Sequence, residues 1–175
     1  MRFRDLAEVR GLHVSKRGPP DEIDGSVTPA IAESLAMLAQ AAAGAADEWW
    51  IIGSAAVLLH GGAVGHAKDI DLMMSARDAD AFLRRVGVEP RRGTGDERFR
   101  SAVFGTWRRP PVAVEAFGGF EVAVGPTWRE VRLETREAVT VGTARVYLPQ
   151  RAELVRLLRC FGRPKDLERA KLLEE

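Results

Sequence analysis

Apolar residues follow two spacings along the chain, and the alternation between the spacings predicts helices and strands in an interleaved order. Ile31, Leu35 and Leu38 fall at helical spacing after Thr28-Pro29, a cap followed by proline in the first turn. Further helices are predicted at 54–60, from Ser75 to Val86 behind a capping box, at Arg151–Phe161 and from Pro164 onward. Short apolar runs predict strands at 48–52, 70–74, 99–104, 112–117, 120–124, 138–141 and 144–148.

Glycine-rich breaks separate these elements. Gly118-Gly119 predicts a hairpin turn between the strands 112–117 and 120–124, and Gly142-Thr143 predicts a turn between the last two strands. The polar stretch 88–100 contains Gly93-Thr94-Gly95 and predicts a loop. The predicted fold class is therefore α/β (α+β): a small mixed β-sheet with packed helices, followed by a short C-terminal helical pair.

The length of 175 residues predicts one domain, or one domain with a small appendage. We divide it into an N-terminal arm (1–27), a main domain (28–148) and C-terminal helices packed on the same domain (149–175). No apolar run approaches the roughly 20 residues of a membrane span, and the N-terminus lacks the apolar core of a signal peptide. The only cysteine, Cys160, excludes an internal disulfide. These features predict a cytoplasmic protein without a membrane partner, and the net charge of +1 does not by itself indicate a nucleic-acid partner.

Two acidic residues stand out in the predicted strand Asp69-Ile70-Asp71-Leu72. Alternate side chains of a strand share a face, so Asp69 and Asp71 lie on one face, with their Cβ atoms about 7 Å apart. Two unpaired carboxylates side by side repel each other, and a divalent cation offsets that cost. The pair is therefore a candidate metal site.

Gly53-Ser54 follows the apolar run Trp49-Trp50-Ile51-Ile52 and precedes a predicted short helix. The first N–H groups and the positive dipole end of a helix can bind a phosphate. A phosphate site and a carboxylate pair on neighbouring strands are the components of metal-assisted phosphoryl chemistry.

Together these residues resemble the nucleotidyltransferase superfamily of the DNA polymerase β type. The family pattern is a hydrophobic residue, Gly, then Gly or Ser, a spacer, and Asp-hydrophobic-Asp-hydrophobic; here it reads Ile52-Gly53-Ser54 and Asp69-Ile70-Asp71-Leu72. The phrase 162–166, Gly-Arg-Pro-Lys-Asp, is similar to the tail of the toxin-like branch linked to abortive phage infection.

This resemblance implies a minimal nucleotidyltransferase domain over 28–148, which moves a nucleoside monophosphate from an NTP to an acceptor hydroxyl. It implies a third acidic metal ligand on a later strand, where the family more often has Asp; the candidate here is Glu115. Asp69, Asp71 and Glu115 would then be catalytic and would bind Mg²⁺ or Mn²⁺, which hard carboxylate oxygens suit. Gly53 and Ser54 would bind the β- and γ-phosphates. In the resembling families the segment that begins the last helix lies near the nucleotide cleft, so the resemblance also implies a phosphate contact from Arg163 or Lys165.

Several of these residues also have purely structural explanations. Asp69 and Asp71 could pair with arginines, Ser54 could cap its helix, and Arg163 and Lys165 could serve capping and surface pairing. Between positions 84 and 109, eight arginines stand against three acids. That stretch is either a solvated surface or a basic rim that binds nucleotide phosphates or an RNA backbone.

Three functions remain open on the sequence. The first is a nucleotidyltransferase whose acceptor is a protein, an RNA such as a tRNA end, or a small molecule such as an aminoglycoside, in a toxin–antitoxin or phage-defence setting with an antitoxin or other protein partner. The second is a non-catalytic nucleotide- or partner-binding module on the same fold. The third is a sensor that binds NTP·Mg²⁺ without turnover.

Overall fold

The computed structural model describes residues 27–174, so the predicted N-terminal arm lies outside the described residues except for Val27. The described chain contains five helices and eight strands. The helices are α1 (Pro29–Ala42), α2 (Gly53–Leu59), α3 (Ala76–Arg85), α4 (Arg151–Phe161) and α5 (Pro164–Leu172). The strands are β1 (Trp50–Ile52), β2 (Asp69–Met74), β3 (Arg91–Gly95), β4 (Phe99–Trp107), β5 (Ala113–Val124), β6 (Thr127–Glu130), β7 (Glu137–Val141) and β8 (Ala144–Leu148).

Local sequence signals determine where the helices begin and end. The Thr28 hydroxyl accepts a hydrogen bond from the N–H of Ile31 at 3.3 Å, and the Ser75 hydroxyl accepts one from the N–H of Asp78 at 3.2 Å. Both contacts satisfy amides that a helix leaves unpaired in its first turn. At the other end of α4, Gly162 has the left-handed backbone, φ 67°, that ends many helices. These predicted boundaries are confirmed.

A mixed sheet organises the fold, with strand order β1-β2-β5-β4-β3. β2 and β5 run parallel, and the other neighbouring pairs are antiparallel. β6 pairs with the C-terminal part of β5, while β7 and β8 form a separate two-stranded sheet. The predicted α/β (α+β) class is confirmed, with helices packed on a mixed sheet.

One hydrophobic core joins the sheet to the helices. The side chains of Ile70, Leu72 and Val114 are fully buried on the face of β2 and β5 opposite the acidic residues. Leu154 and Leu158 of α4 are fully buried in the same core, so the C-terminal helices pack on the sheet domain. No helix among residues 27–174 combines the length and apolar character needed to cross a membrane.

The predicted hairpin at Gly118-Gly119 is wrong: residues Ala113–Val124 form one strand, β5, which stays in register with β4 on both sides of the glycines. Gly118 is required for packing, because a Cβ there would lie 2.5 Å from the carbonyl oxygen of Ser75 at the start of α3. The predicted loop 88–100 is also wrong in part, since it contains β3, and β6 was not predicted.

Candidate functional site

The three predicted acidic residues lie on one face of the sheet, on the parallel strands β2 and β5. In the register of these strands Asp71 is opposite Glu115, and Asp69 is opposite Ala113. Opposite residues of paired strands point to the same side, so the carboxyl groups of Asp69, Asp71 and Glu115 share a face. The strand adjacency expected for Glu115 is therefore present.

Gly53 brings the start of α2 into direct contact with this acidic face. Its backbone has φ 67°, a conformation that favours glycine, and a Cβ at this position would overlap Oδ2 of Asp71. The turn between β1 and α2 thus approaches the carboxylate as closely as a residue without a side chain permits. Any larger residue at position 53 must displace Asp71 or the turn.

The pKa values of the carboxyl groups on this face reflect burial first and mutual repulsion second, and nearby cations offset these effects only in part. Burial, followed by the charges of Asp69 and Glu115, raises the pKa of Asp71 from 3.8 to about 7. Burial and the charge of Asp69 also raise the pKa of Glu115, although Arg108, Arg91 and Lys165 act in the opposite direction.

Within residues 27–174, none of the three carboxylates forms a hydrogen bond or salt bridge with another side chain. The predicted alternative in which local arginines pair with Asp69 and Asp71 is therefore not observed. The acids repel one another, and the nearby cations offset that repulsion only in part.

The donor atoms of the acidic face are carboxylate oxygens, the ligand type that Mg²⁺ and Mn²⁺ prefer. In the described part of the chain, no three His, Cys, Asp or Glu side chains are gathered closely enough to hold a metal ion as they stand. The three carboxylates share a face but are not drawn into one coordination sphere. A bound cation would relieve their mutual repulsion, so the binding of Mg²⁺ or Mn²⁺ by these residues is a proposal.

A cleft of about 350 Å³ opens beside the acidic face. Four of the seven predicted site residues line it: Gly53, Asp71, Glu115 and Arg163. The other three lie outside the lining: Asp69 beside Asp71 on β2, Ser54 buried at 3% exposure, and Lys165 exposed on the first turn of α5. Lys165 is still close enough to Glu115 to lower the pKa of that carboxyl.

Phenylalanine rings form much of the cleft wall, and this wall was not predicted from the sequence. The lining rings are Phe99, Phe104, Phe117, Phe120 and Phe161. Phe117 and Phe120 are 4.9 Å apart at their ring centroids, although they are three positions apart along β5. Ordinary alternation would place them on opposite faces.

A left-handed glycine explains this arrangement. Gly119 has φ 60° and lies between Phe117 and Phe120, so the strand changes face without losing register. Gly93, also at φ 60°, has the same position in β3, between Arg91 and Thr94, both of which line the cleft. The glycines at 118–119 and at 93 led to the predictions of a hairpin turn and a loop. In the structure Gly119 and Gly93 instead mark the points where a strand changes face.

The buried carboxylate of Asp166 holds Arg163 in the cleft, and this burial was not predicted from the sequence. Asp166 is fully buried and accepts two hydrogen bonds from Arg163, at 2.6 and 3.0 Å. Arg169 approaches the same carboxylate at 3.7 Å, and the guanidinium of Arg163 lies 4.7 Å from the centre of the Phe99 ring. The bidentate pair and the stacked ring fix the orientation of Arg163 toward the cleft.

If Arg163 binds the nucleotide that the sequence resemblance implies, Asp166→Asn is expected to raise the KM for NTP roughly tenfold, because an amide supplies only one acceptor to the Arg163 fork and leaves its orientation less restricted. Steady-state kinetics would separate this effect from any change in kcat, and thermal melting would report the loss of the buried ion pair. Glu130→Gln, which releases Arg132 from an exposed pair, is the matched control and should change neither quantity. A lower Tm with an unchanged KM would show that Asp166 is only structural.

No protein-family model matches the chain, and no curated protein sequence matches it. The fold is similar to a crystal structure from Thermotoga maritima described as "a putative nucleotidyltransferase", with a TM-score of 0.63 and 21% sequence identity. The match covers 81% of this chain and 91% of that chain. The likeness shows that the two proteins share a fold.

Proposed function

We propose that this protein is a nucleotidyltransferase that moves a nucleoside monophosphate from an NTP to an acceptor hydroxyl. The observation that carries the proposal is the contact between Gly53 and Asp71, on the face that Asp71 shares with Asp69 and Glu115. The fold of the Thermotoga maritima protein supports it. A glycine turn against unpaired carboxylates beside an open cleft is an arrangement suited to a bound triphosphate and its cation.

The reaction joins an acceptor oxygen to the α-phosphorus of the NTP. The new P–O bond forms as the bond between the α-phosphorus and the bridging oxygen breaks, and pyrophosphate leaves with that electron pair. The hydroxyl proton passes to the carboxylate of Glu115, whose raised pKa makes it a better base than an ordinary glutamate, or Glu115 serves with Asp71 as a ligand of a second cation.

The remaining residues bind and orient the nucleotide. Asp69 and Asp71 would hold Mg²⁺ or Mn²⁺, which when bound supplies charge neutralisation of the triphosphate. The backbone at Gly53 and Ser54 would contact the β- and γ-phosphates. Arg163, fixed by Asp166, would donate to phosphate oxygens from the cleft wall, and Lys165 would contribute positive charge from α5.

The setting that the sequence resemblance implies is toxin–antitoxin or phage defence, in the cytoplasm, with an antitoxin or other protein partner. The motif Gly162-Arg163-Pro164-Lys165-Asp166 supports this part of the proposal, because its arginine lines the cleft. Growth of a host that expresses the wild type, compared with growth of a host that expresses a variant without Asp71, would test it. If both proteins inhibit growth, the toxicity does not depend on nucleotidyl transfer.

NTP with Mg²⁺ or Mn²⁺ is expected to raise the melting temperature, because a ligand bound only by the native state stabilises it by mass action. At a concentration about 100 times Kd the gain is about 2.7 kcal/mol, which is several degrees for a domain of this size. Differential scanning fluorimetry with each of the four NTPs measures it. No shift with any NTP at millimolar concentration would contradict a nucleotide site.

A binding module that has lost turnover is the second candidate. The observation that favours it is that the three carboxylates are not gathered into one ligand group within residues 27–174. The two functions separate when binding and transfer are measured together: a thermal shift with NTP·Mg²⁺, but no labelled acceptor in a cell lysate, identifies the module.

A further inference from the structure

Two parts of the chain that are distant in sequence meet at one wall of the cleft. One is the turn between β3 and β4, residues 96–98, and the other is the junction of α4 and α5 at Gly162. Phe161 and Arg163 flank this junction, and both line the cleft. The ring of Phe161 lies 5.1 Å from the ring of Phe99, measured between centroids. The position of the junction therefore determines where Arg163 lies in the cleft.

One hydrogen bond joins the turn to the junction. The guanidinium of Arg98 donates through Nη1 to the carbonyl oxygen of Phe161 at 2.8 Å. In the described part of the chain it is the only hydrogen bond or salt bridge between segments 88–124 and 149–174. Phe161 is the last residue of α4, where carbonyl groups have no partner within the helix and positive charge is favoured. Arg98 thus supplies both a donor and a cation to the end of α4.

The backbone of Arg98 is fixed at the point from which its side chain reaches α4. Its N–H donates to Oδ1 of Asp96 at 2.7 Å, and its carbonyl oxygen accepts from the N–H of Ala123 on β5 at 2.8 Å. The residue is exposed, and it forms no salt bridge with any carboxylate of residues 27–174. Because the start of the side chain is already placed, less conformational freedom is lost when the guanidinium bonds to α4.

Arg163 comes two positions after Phe161, so it moves with the end of α4. Gly162 between them has the left-handed backbone, φ 67°. The guanidinium of Arg163 lies 4.7 Å from the centre of the Phe99 ring, which follows the turn directly. Its charge also contributes to lowering the pKa of Asp96 in the turn, after the larger effect of hydrogen bonds from backbone N–H groups. Arg163 therefore lies against the same turn that is joined to α4.

Resting on the proposed function, we propose that Arg98 is a positioning residue of the nucleotide site: by holding the end of α4, it sets the place from which Arg163 contacts the triphosphate. Arg98 itself touches no substrate. Asp166 fixes the orientation of the Arg163 fork from within α5, and Arg98 fixes the helix end from which α5 departs. Without this bond the junction is free to move away from the strands, and the affinity for NTP falls.

Isothermal titration of the full chain with NTP·Mg²⁺, using the NTP that gives the largest thermal shift, tests this role. Arg98→Met is expected to raise the Kd roughly tenfold, the effect of losing one hydrogen bond from a charged group. Arg98→Lys keeps a cation that can donate to the carbonyl oxygen, so it should recover most of the affinity. A Kd that is equal in the wild type and in Arg98→Met would overturn the proposal.

Arg85→Met is the matched control. Arg85 is an exposed arginine that donates to the carbonyl oxygen of Ala41, near the end of α1, at 2.6 Å, and it does not line the cleft. The control therefore removes the same kind of contact at a different helix end. It should lower the melting temperature about as much as Arg98→Met does while leaving the Kd for NTP at the wild-type value.

A double-mutant cycle separates positioning from a general loss of stability. If Arg98 acts through Arg163, then Arg98→Met should have little further effect on the Kd of a chain that already carries Arg163→Met. Losses of affinity that add in the double variant would contradict the proposal, because Arg98 would then act independently of Arg163.

A nucleotide-free measurement keeps this proposal separate from the proposed function. In nitrogen-15 NMR spectra the Nε–H of Arg163, which donates to Asp166 at 2.6 Å, reports the surroundings of this side chain. Arg98→Met is expected to shift or broaden that signal, whereas Arg85→Met should not. An unchanged signal in Arg98→Met would show that Arg98 does not place Arg163. A wild type that binds no NTP contradicts the nucleotide site instead, and the NMR comparison still decides whether Arg98 positions Arg163.

Discussion

Gly53→Ala is expected to reduce nucleotidyl transfer by at least about 100-fold, the loss that accompanies displacement of a reacting group by about 1 Å. The added methyl group overlaps Oδ2 of Asp71, so the carboxylate or the turn must move. The backbone at φ 67° adds strain of about 1–2 kcal/mol for any residue with a Cβ. Rates of label transfer and melting temperatures of the two proteins measure the two effects.

Gly142→Ala provides the matched control for this substitution. Gly142 also has a left-handed backbone, φ 61°, but a Cβ there would meet no atom within 4 Å. The control therefore carries the same strain without the overlap, and it should lower the melting temperature while keeping normal transfer. If both variants lose stability and neither loses activity, the contact between Gly53 and Asp71 has no catalytic role.

Asp71→Asn is expected to stabilise the metal-free protein at neutral and alkaline pH. Because the folded pKa is raised from 3.8 to about 7, the protonated carboxyl favours the folded state. That stability is fully present below pH 3.8 and is lost as pH rises through about 7. The difference of about three pKa units corresponds to at most about 4 kcal/mol at pH 8.

Urea unfolding in EDTA at several pH values would measure this effect. The wild type should lose stability between about pH 4 and pH 8 relative to Asp71→Asn, with the gap widest at high pH. Added Mg²⁺ should narrow the gap by stabilising only the wild type. A variant that is less stable than the wild type at pH 8 without metal would show that Asp71 is a structural partner and not a member of a repelling cluster.

The acidic face could be predicted because it depends on strand alternation alone. Asp69 and Asp71 are two residues apart, and Glu115 shares a face with Phe117 for the same reason, so only the pairing of β2 with β5 had to be supplied by the fold. The helix caps at Thr28 and Ser75 were predictable because they act within one turn. The role of Asp69, Asp71 and Glu115 in catalysis or metal binding remains a proposal.

The cleft wall could not be predicted, because it depends on contacts between distant segments. Gly118-Gly119 resembles a hairpin signal, yet both glycines lie inside one strand. The start of α3 packs against Gly118 and leaves no room for a side chain there, and Gly119 allows Phe120 to point into the cleft. β3 contains no apolar residue and is a strand because it pairs with β4, as in the contact of Thr94 with Ser101. The burial of Asp166 likewise follows from packing of the last helix, which the charged sequence around it conceals.

The most direct test of nucleotidyl transfer compares NTP labelled on the α-phosphate with NTP labelled on the γ-phosphate. Wild-type protein, Mg²⁺, a cell lysate and each NTP are incubated in parallel with the Asp71→Asn variant. We expect the wild type to attach only the α-label to an acceptor and to release the γ-label in pyrophosphate, while the variant attaches neither. Transfer of the γ-label, or equal transfer of the α-label by both proteins, would contradict the assignment of Asp71 to the centre of a nucleotidyltransferase site.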